Sequence, residues 1–203
     1  MGYIYMKAFF KLTLAAALLF SACTNQTSTT MQNTFLDLAV KRYSVRSFTD
    51  QKVPKEDIDK IIEAGRVAPT AVNNQPQKIY LLQSEEAIRK INTVSPCIYG
   101  APQVFLVCYD EDLSWVNQNN GNQPSGVIDA SIVLTHMMLQ CAELGLGSCW
   151  VGMFDMVMCK TLFDLPDNIH PIALLPFGYP SEDSKPSKMH TSYRPVEETV
   201  TIL

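Results

Sequence analysis

The residues PSGVIDASIVLTHMMLQCAEL, from Pro124 to Leu144, form the longest regular pattern in the chain. Val127, Ala130, Ser131, Leu134, Met138, Cys141 and Leu144 fall on one helical face, and Ile128, Ile132, Leu139 and Ala142 make a second face apolar. A helix that is apolar most of the way round is buried. A single domain of this length has little room to wrap such a helix alone, so the pattern predicts a homodimer with the helix at its interface.

Working outward from this helix, PQVFLVCYD before it and SCWVGMF and PIALLPFGYP after it read as strands. Further upstream, KIYLLQ reads as a strand and SEEAIRKIN as a helix. Phe35, Leu36, Ala39 and Val40 predict a short helix over 33–42. Pro54 opens another, with Glu56 and Asp57 near its positive end and Ile58, Ile61, Ile62 and Gly65 as its buried face. APTAVNNQPQ and EDLSWVNQNNGNQ read as irregular segments, and the last residues as a polar, proline-broken tail. Helices and strands mix without strict βαβ alternation, so the fold class is α+β, a central mixed or antiparallel sheet flanked by helices.

The first 23 residues read as a leader. Lys7 and Lys11 precede the apolar LTLAAALLF, too short for a bilayer span, which needs roughly 20 residues. The run ends in small residues at Ser21–Ala22–Cys23, as a secretory signal does. LFSAC resembles a bacterial lipobox, with Phe20 where Leu is usual, so cleavage with or without lipidation of Cys23 fits. Residues 24–33 are polar and read as a flexible tether. The expectation is therefore an exported protein, a lipoprotein facing the periplasm or cell exterior, with one domain over 34–203.

A formal net charge of −4 argues against a nucleic-acid partner. The five cysteines after Cys23 form no CxxC, and the three histidines are widely separated, so no metal site is expected. GLGSCW begins like a dinucleotide fingerprint but follows a helix and ends in Trp150, which removes that reading. No GxSxG elbow or Walker loop is present. Asp129 and His136 lie two turns apart on the long helix, a spacing more often structural than catalytic.

KRYSVRSF (Lys41–Phe48) places Arg42, Ser44 and Arg46 at alternate positions. In extended backbone such residues point the same way, and two guanidinium forks with a hydroxyl suit an anion with several oxygens. Alone, the pattern also fits a solvated basic strand.

RYSVR, APTAVNNQP, GLGSCWVG and FGYPSEDSKP…YRP occur in order, each after a predicted element. Together they resemble the nitroreductase family of FMN-dependent oxidoreductases over roughly Asn33 to Pro195. The resemblance implies FMN as cofactor, NAD(P)H as co-substrate and a homodimer with shared sites. It assigns the FMN phosphate to Arg42 and Ser44, with Arg194 completing the clamp. Arg46 would lie by the pyrimidine end of the flavin, as an electrostatic stabiliser of the reduced ring. Pro69, Thr70 and Asn73 would approach from the partner subunit, with Thr70 where serine is commoner. Trp150 and Gly152 would lie along the ring, and no side chain would act as a catalytic acid or base. Gln77 stands where many members carry an aromatic.

The implied activity is hydride transfer from NAD(P)H through flavin N5 to a nitroaromatic, quinone or flavin acceptor. A specialised flavin enzyme such as a reductive dehalogenase is an alternative, although EDLSWVNQNNGNQPSG is short for a substrate lid. An anchored flavin-binding protein without turnover is another. Export would separate the protein from cytoplasmic nicotinamides and require a different donor.

Overall fold

The computed structural model describes residues 34–119 and 121–203, and Phe35–Leu203 form one compact unit. The leader and the tether lie outside the described residues. In chain order the elements are α1 (Phe35–Lys41), α2 (Lys55–Arg66), β1 (Gln77–Leu82), α3 (Glu85–Val94), β2 (Gln103–Asp110), β3 (Val116–Asn117) and β4 (Gln123–Pro124). They are followed by α4 (Gly126–Glu143), β5 (Gly147–Ser148), α5 (Met156–Leu162), β6 (Ile169–Gly178) and α6 (Val196–Thr199).

The main sheet has the order β1-β2-β6-β5, and all its strand pairs are antiparallel. Every residue of β2 is buried, as a strand covered on both faces requires. Its side chains alternate between two cores. Phe105 and Val107 meet Ala173, Leu175 and Phe177 under α2 and α4, with the Phe105 and Phe177 rings stacked at 4.6 Å. Val104, Leu106 and Cys108 face the other way, into a core that includes Ile91 of α3 and Cys159 of α5. The architecture is thus α+β, an antiparallel sheet flanked by helices.

Local chemistry sets several boundaries. Ser84 caps α3, its Oγ accepting from Ala87 N at 3.1 Å, and Asp155 caps α5, its Oδ1 accepting from Met158 N at 2.9 Å. Pro54 is the residue just before α2 rather than its first residue. The first residue of α4 is Gly126, where a Cβ would collide with the Tyr109 ring.

Four expectations change. Ile62 of α2 is exposed, and the buried face is Ile58, Ile61 and Gly65. On α4, Val133 and Met137 join Ala130, Leu134 and Cys141 in the core, whereas Val127 and Ile128 are exposed. The SCWVGMF strand shortens to Gly147–Ser148 plus an isolated bridge from Val151 to Leu174, leaving Trp150 half out of the sheet. The segment after it turns into α5, and the polar loop before α4 contains the β3–β4 hairpin.

Candidate functional site

The basic segment is stitched between β5 and the chain leaving β6. Ser44 forms a parallel bridge with Ser148, and Val45 N donates to Ser148 O at 3.0 Å. Further on, Thr49 N donates to Tyr179 O at 2.9 Å and Ser181 N to Ser47 O at 3.1 Å. Val45 is buried at 2% exposure, so in this extended run Arg42, Ser44 and Arg46 share the opposite side. The closeness of the two strands depends on Gly147, where a Cβ would sit 2.6 Å from Val45 Cγ2. Arg46 is exposed and its Nη1 donates to Ser44 O at 3.2 Å.

Cys149 reports how closely these groups converge. Burial pushes its thiol up, while Arg46, Ser44 and Arg42 pull it back down. Tyr99 lies in the same cluster. Its hydroxyl is raised first by its bond with Cys97, then by burial, with Arg46 acting in the opposite sense. Nothing in the local sequence pattern singled out Tyr99; a left-handed pair, Tyr99 (φ 59°) and Gly100 (φ 74°), turns the chain there. The buried thiols Cys141 and Cys159, away from the cations, are pushed up to about 12 and about 11 by burial, and such thiols are inert. All five described cysteines are free.

Trp150 and Gly152 follow directly on this cluster. The indole is 39% exposed and Gly152 is exposed, its missing side chain leaving room for the Trp150 ring. Arg194 lies in the exposed tail, where its Nε pairs with Glu198 Oε2 at 3.0 Å rather than with the basic segment. The same tail does reach that segment. Tyr43 Oη lies 3.3 Å from Ser184 Oγ, and its ring meets that of His190 at 6.2 Å.

Pro69, Thr70 and Asn73 belong to a separate group. Their turn leads into β1, at the sheet edge opposite β5, and is tied to Asp129 in the first turn of α4. The basic segment is bridged to Ser148, by the other end of that helix. At 1.5 Å per residue, Asp129 and Glu143 are about 21 Å apart along the axis. One protomer therefore does not bring Thr70 and Asn73 to Arg42 and Ser44. Asp129 pairs with Ala71 N and Ser125 Oγ, which accounts for its carboxylate without His136. Gln77, in the aromatic position of the motif, keeps a buried Oε1 without a hydrogen-bond partner among the described residues.

The outer side of α4 completes the picture. Val127, Ile128, Ile132 and Leu139 line an open groove with Phe35 of α1 and Val67, the residue that follows α2. Among the described residues no group of His, Cys, Asp and Glu is placed to hold a metal ion, and no helix is long and apolar enough to cross a membrane.

The chain resembles known proteins across this region. The model of the Nitroreductase family matches residues 39–97 and 94–179. The crystal structure of a nitroreductase family protein from Clostridium difficile 630 superposes with a TM-score of 0.78 at 41% identity, covering 83% of this chain and 97% of that one. An FMN reductase [NAD(P)H] of Bacillus subtilis strain 168 is 32% identical over 158 residues, 70% of this chain and 64% of that protein. An FMN-dependent nitroreductase from Clostridium difficile R20291 shares the fold, with a TM-score of 0.64 at 22% identity over 78% of this chain and 98% of that one. With the family match spanning both the basic segment and the Gly147–Gly152 shelf, the chain belongs to the Nitroreductase family.

Proposed function

We propose that the protein is an FMN-dependent NAD(P)H oxidoreductase acting on a nitroaromatic, quinone or flavin acceptor. The observation that carries this reading is the basic segment laid along Ser148, which puts three anion-directed donors beside the exposed shelf of Trp150 and Gly152. These residues fit the cofactor. A phosphomonoester carries close to two charges and three acceptor oxygens, matching Arg42 and Ser44. The Trp150 ring packs over the bare backbone of Gly152, and its exposed indole is the surface offered to a planar ring. Bound FMN would supply the redox chemistry, accepting a hydride at N5 and passing the reducing equivalents to the acceptor.

The chain's own residues bind, orient and tune. Arg42 and Ser44 would hold the phosphate, and Arg194 would join them by exchanging its pair with Glu198 for the phosphate. Trp150 and Gly152 border the ring. Arg46 offers a positive charge at the pyrimidine end, where reduction places negative charge. Pro69, Thr70 and Asn73 come from the neighbouring subunit. The placement of the two groups towards opposite ends of α4 supports that arrangement. Two copies packed through the α4 groove about a two-fold axis perpendicular to α4 would run their helices antiparallel and bring each turn towards the other copy's basic segment.

The test is anaerobic reduction of the purified mature protein with NADH, NADPH and a quinol in parallel. A yellow protein bleached by a nicotinamide is expected. A colourless protein overturns the FMN assignment, and a yellow one that no donor bleaches leaves only a flavin carrier. We also propose export through residues 1–23 with lipidation at Cys23, in which case a donor other than a nicotinamide, such as the quinol, would serve the enzyme in place. Intact mass after expression in a bacterial host checks this: a diacylglyceryl adduct is expected on a chain beginning at Cys23.

Arg46→Gln gives a sharper test of the site. A cation beside the pyrimidine edge stabilises the reduced, anionic ring more than the oxidised one. Its loss should lower the two-electron midpoint potential by about 30 mV, a tenfold change in the ratio of the two affinities. Spectroelectrochemical titration beside wild type separates the readings. A surface cation changes nothing, and a phosphate ligand weakens both redox forms alike. An unmoved potential ends the assignment.

A further inference from the structure

We infer that Asp129 is a positioning residue: it pins the Thr70–Gln75 turn to the first turn of α4 and thereby sets flavin affinity. The flavin part rests on the FMN reading above. Asp129 is 2% exposed, and both carboxylate oxygens are used. Oδ1 accepts from Ala71 N at 2.9 Å, and Oδ2 accepts from Ser125 Oγ at 2.7 Å. The N-terminus of α4 adds favourable backbone dipoles for its charge.

The turn it holds needs such a tie. Val72 (φ 46°), Asn73 (φ 60°) and Gln75 (φ 51°) all occupy the left-handed region, which L-residues rarely adopt. Val72 is β-branched and 71% exposed, so packing does little to fix its conformation. Within the turn, Asn73 N donates to Thr70 O, Asn74 N to Ala71 O and Gln75 N to Thr70 Oγ1, each at 3.0 Å. These bonds shape the turn but do not attach it. Attachment comes at Ala71 through Asp129 and, past the turn, where Asp110 N donates to Pro76 O at 2.8 Å. Strained backbone persists where its surroundings over-determine it, and here that is a buried carboxylate 58 residues away in sequence.

Asp129 also stands next to Ile128, which lines the α4 groove. The same helical turn therefore carries an interface residue and the anchor of the Thr70–Asn73 contacts. A purely structural Asp129 would affect the whole fold; a positioning Asp129 affects one turn and the ligand it meets.

Asp129→Ala and Asp129→Asn separate the two. Asn keeps an acceptor for Ala71 N, and its amide can donate to Ser125 Oγ, so it should restore the tie. Amide exchange of flavin-free protein should be at least tenfold faster at Ala71 in the Ala variant and near wild type in the Asn variant. Protection along the rest of α4 should be unchanged. FMN affinity should fall at least tenfold in the Ala variant and stay within threefold of wild type in the Asn variant. Unchanged exchange at Ala71, exchange spread along α4, unfolding of the Ala variant, or an Asn variant as impaired as Ala would each overturn the inference. Faster exchange confined to the turn with unaltered FMN affinity would overturn the link to the flavin. A wild-type protein that binds no FMN would instead overturn the cofactor reading, while the exchange measurement still decides whether Asp129 holds the turn.

Discussion

Arg42→Ala should purify as a folded protein that has lost its flavin. Arg42 follows α1, its N–H donating to Leu38 O at 3.0 Å, and its half-buried side chain shares a face with Ser44. In the proposed site its charge would act on a phosphate partly withdrawn from water. Truncating one partner of a desolvated charge pair costs roughly 2–5 kcal/mol. Partial exposure places Arg42 at the lower end, so the dissociation constant should rise at least about 30-fold. The fold should not suffer, because the β5 contact is made through the backbone of Val45 and the Val45 side chain, not through the guanidinium. Fluorescence titration of FMN into flavin-free protein, with thermal melts alongside, checks both halves. Wild-type affinity in the variant would remove the phosphate from this segment. Lost affinity with an equally lowered melting temperature would make Arg42 a folding residue instead.

The basic segment was legible because its signal is local. Alternation in RYSVR fixes which side chains share a face, and the structure keeps that alternation with Val45 turned inward. The capping serine of α3 and the apolar run of β2 are local signals too. Other features depend on contacts between distant residues. On α4, apolar residues surround the axis, so periodicity could not separate the side facing Ile61 and Phe105 from the side facing outward. That choice is made by α2 and the sheet, which take Val133 and Met137 and leave Val127 and Ile128 exposed. The apolar run after Gly147 reads as one strand to Phe154, but its pairing with β6 ends at Val151 and it turns at Asp155 into α5, whose cap was the available clue. Asp129 invited comparison with His136 on its own helix, whereas its partner is a backbone amide in another segment. The roles proposed for Pro69, Thr70 and Asn73 rest on a second copy and are the least visible in one chain.

Ile128→Asp should convert the protein to a folded monomer without bound FMN. Ile128 is 65% exposed in the single chain, so the change removes little from the core. A carboxylate in the first turn of α4 also sits well with the positive end of the helix. The fold of each chain should therefore survive, with far-UV circular dichroism and melting close to those of wild type at low concentration. Across the proposed two-fold contact the consequence is severe, since symmetry buries two unpaired carboxylates. At roughly 3 kcal/mol each, the pair costs about 6 kcal/mol, or about 10⁴-fold in the dimer dissociation constant. Sedimentation at about 1 μM should show dimer for wild type and for Ile128→Leu, and monomer for Ile128→Asp. FMN binding should be lost together with the dimer, because the Thr70–Asn73 turn is tied to the first turn of α4 whereas Ser44 is bridged to Ser148 past the other end of that helix. A dimeric Ile128→Asp protein would move the interface off α4. A monomer holding stoichiometric FMN would keep the interface and refute the shared site, because the turn would then have no part in binding.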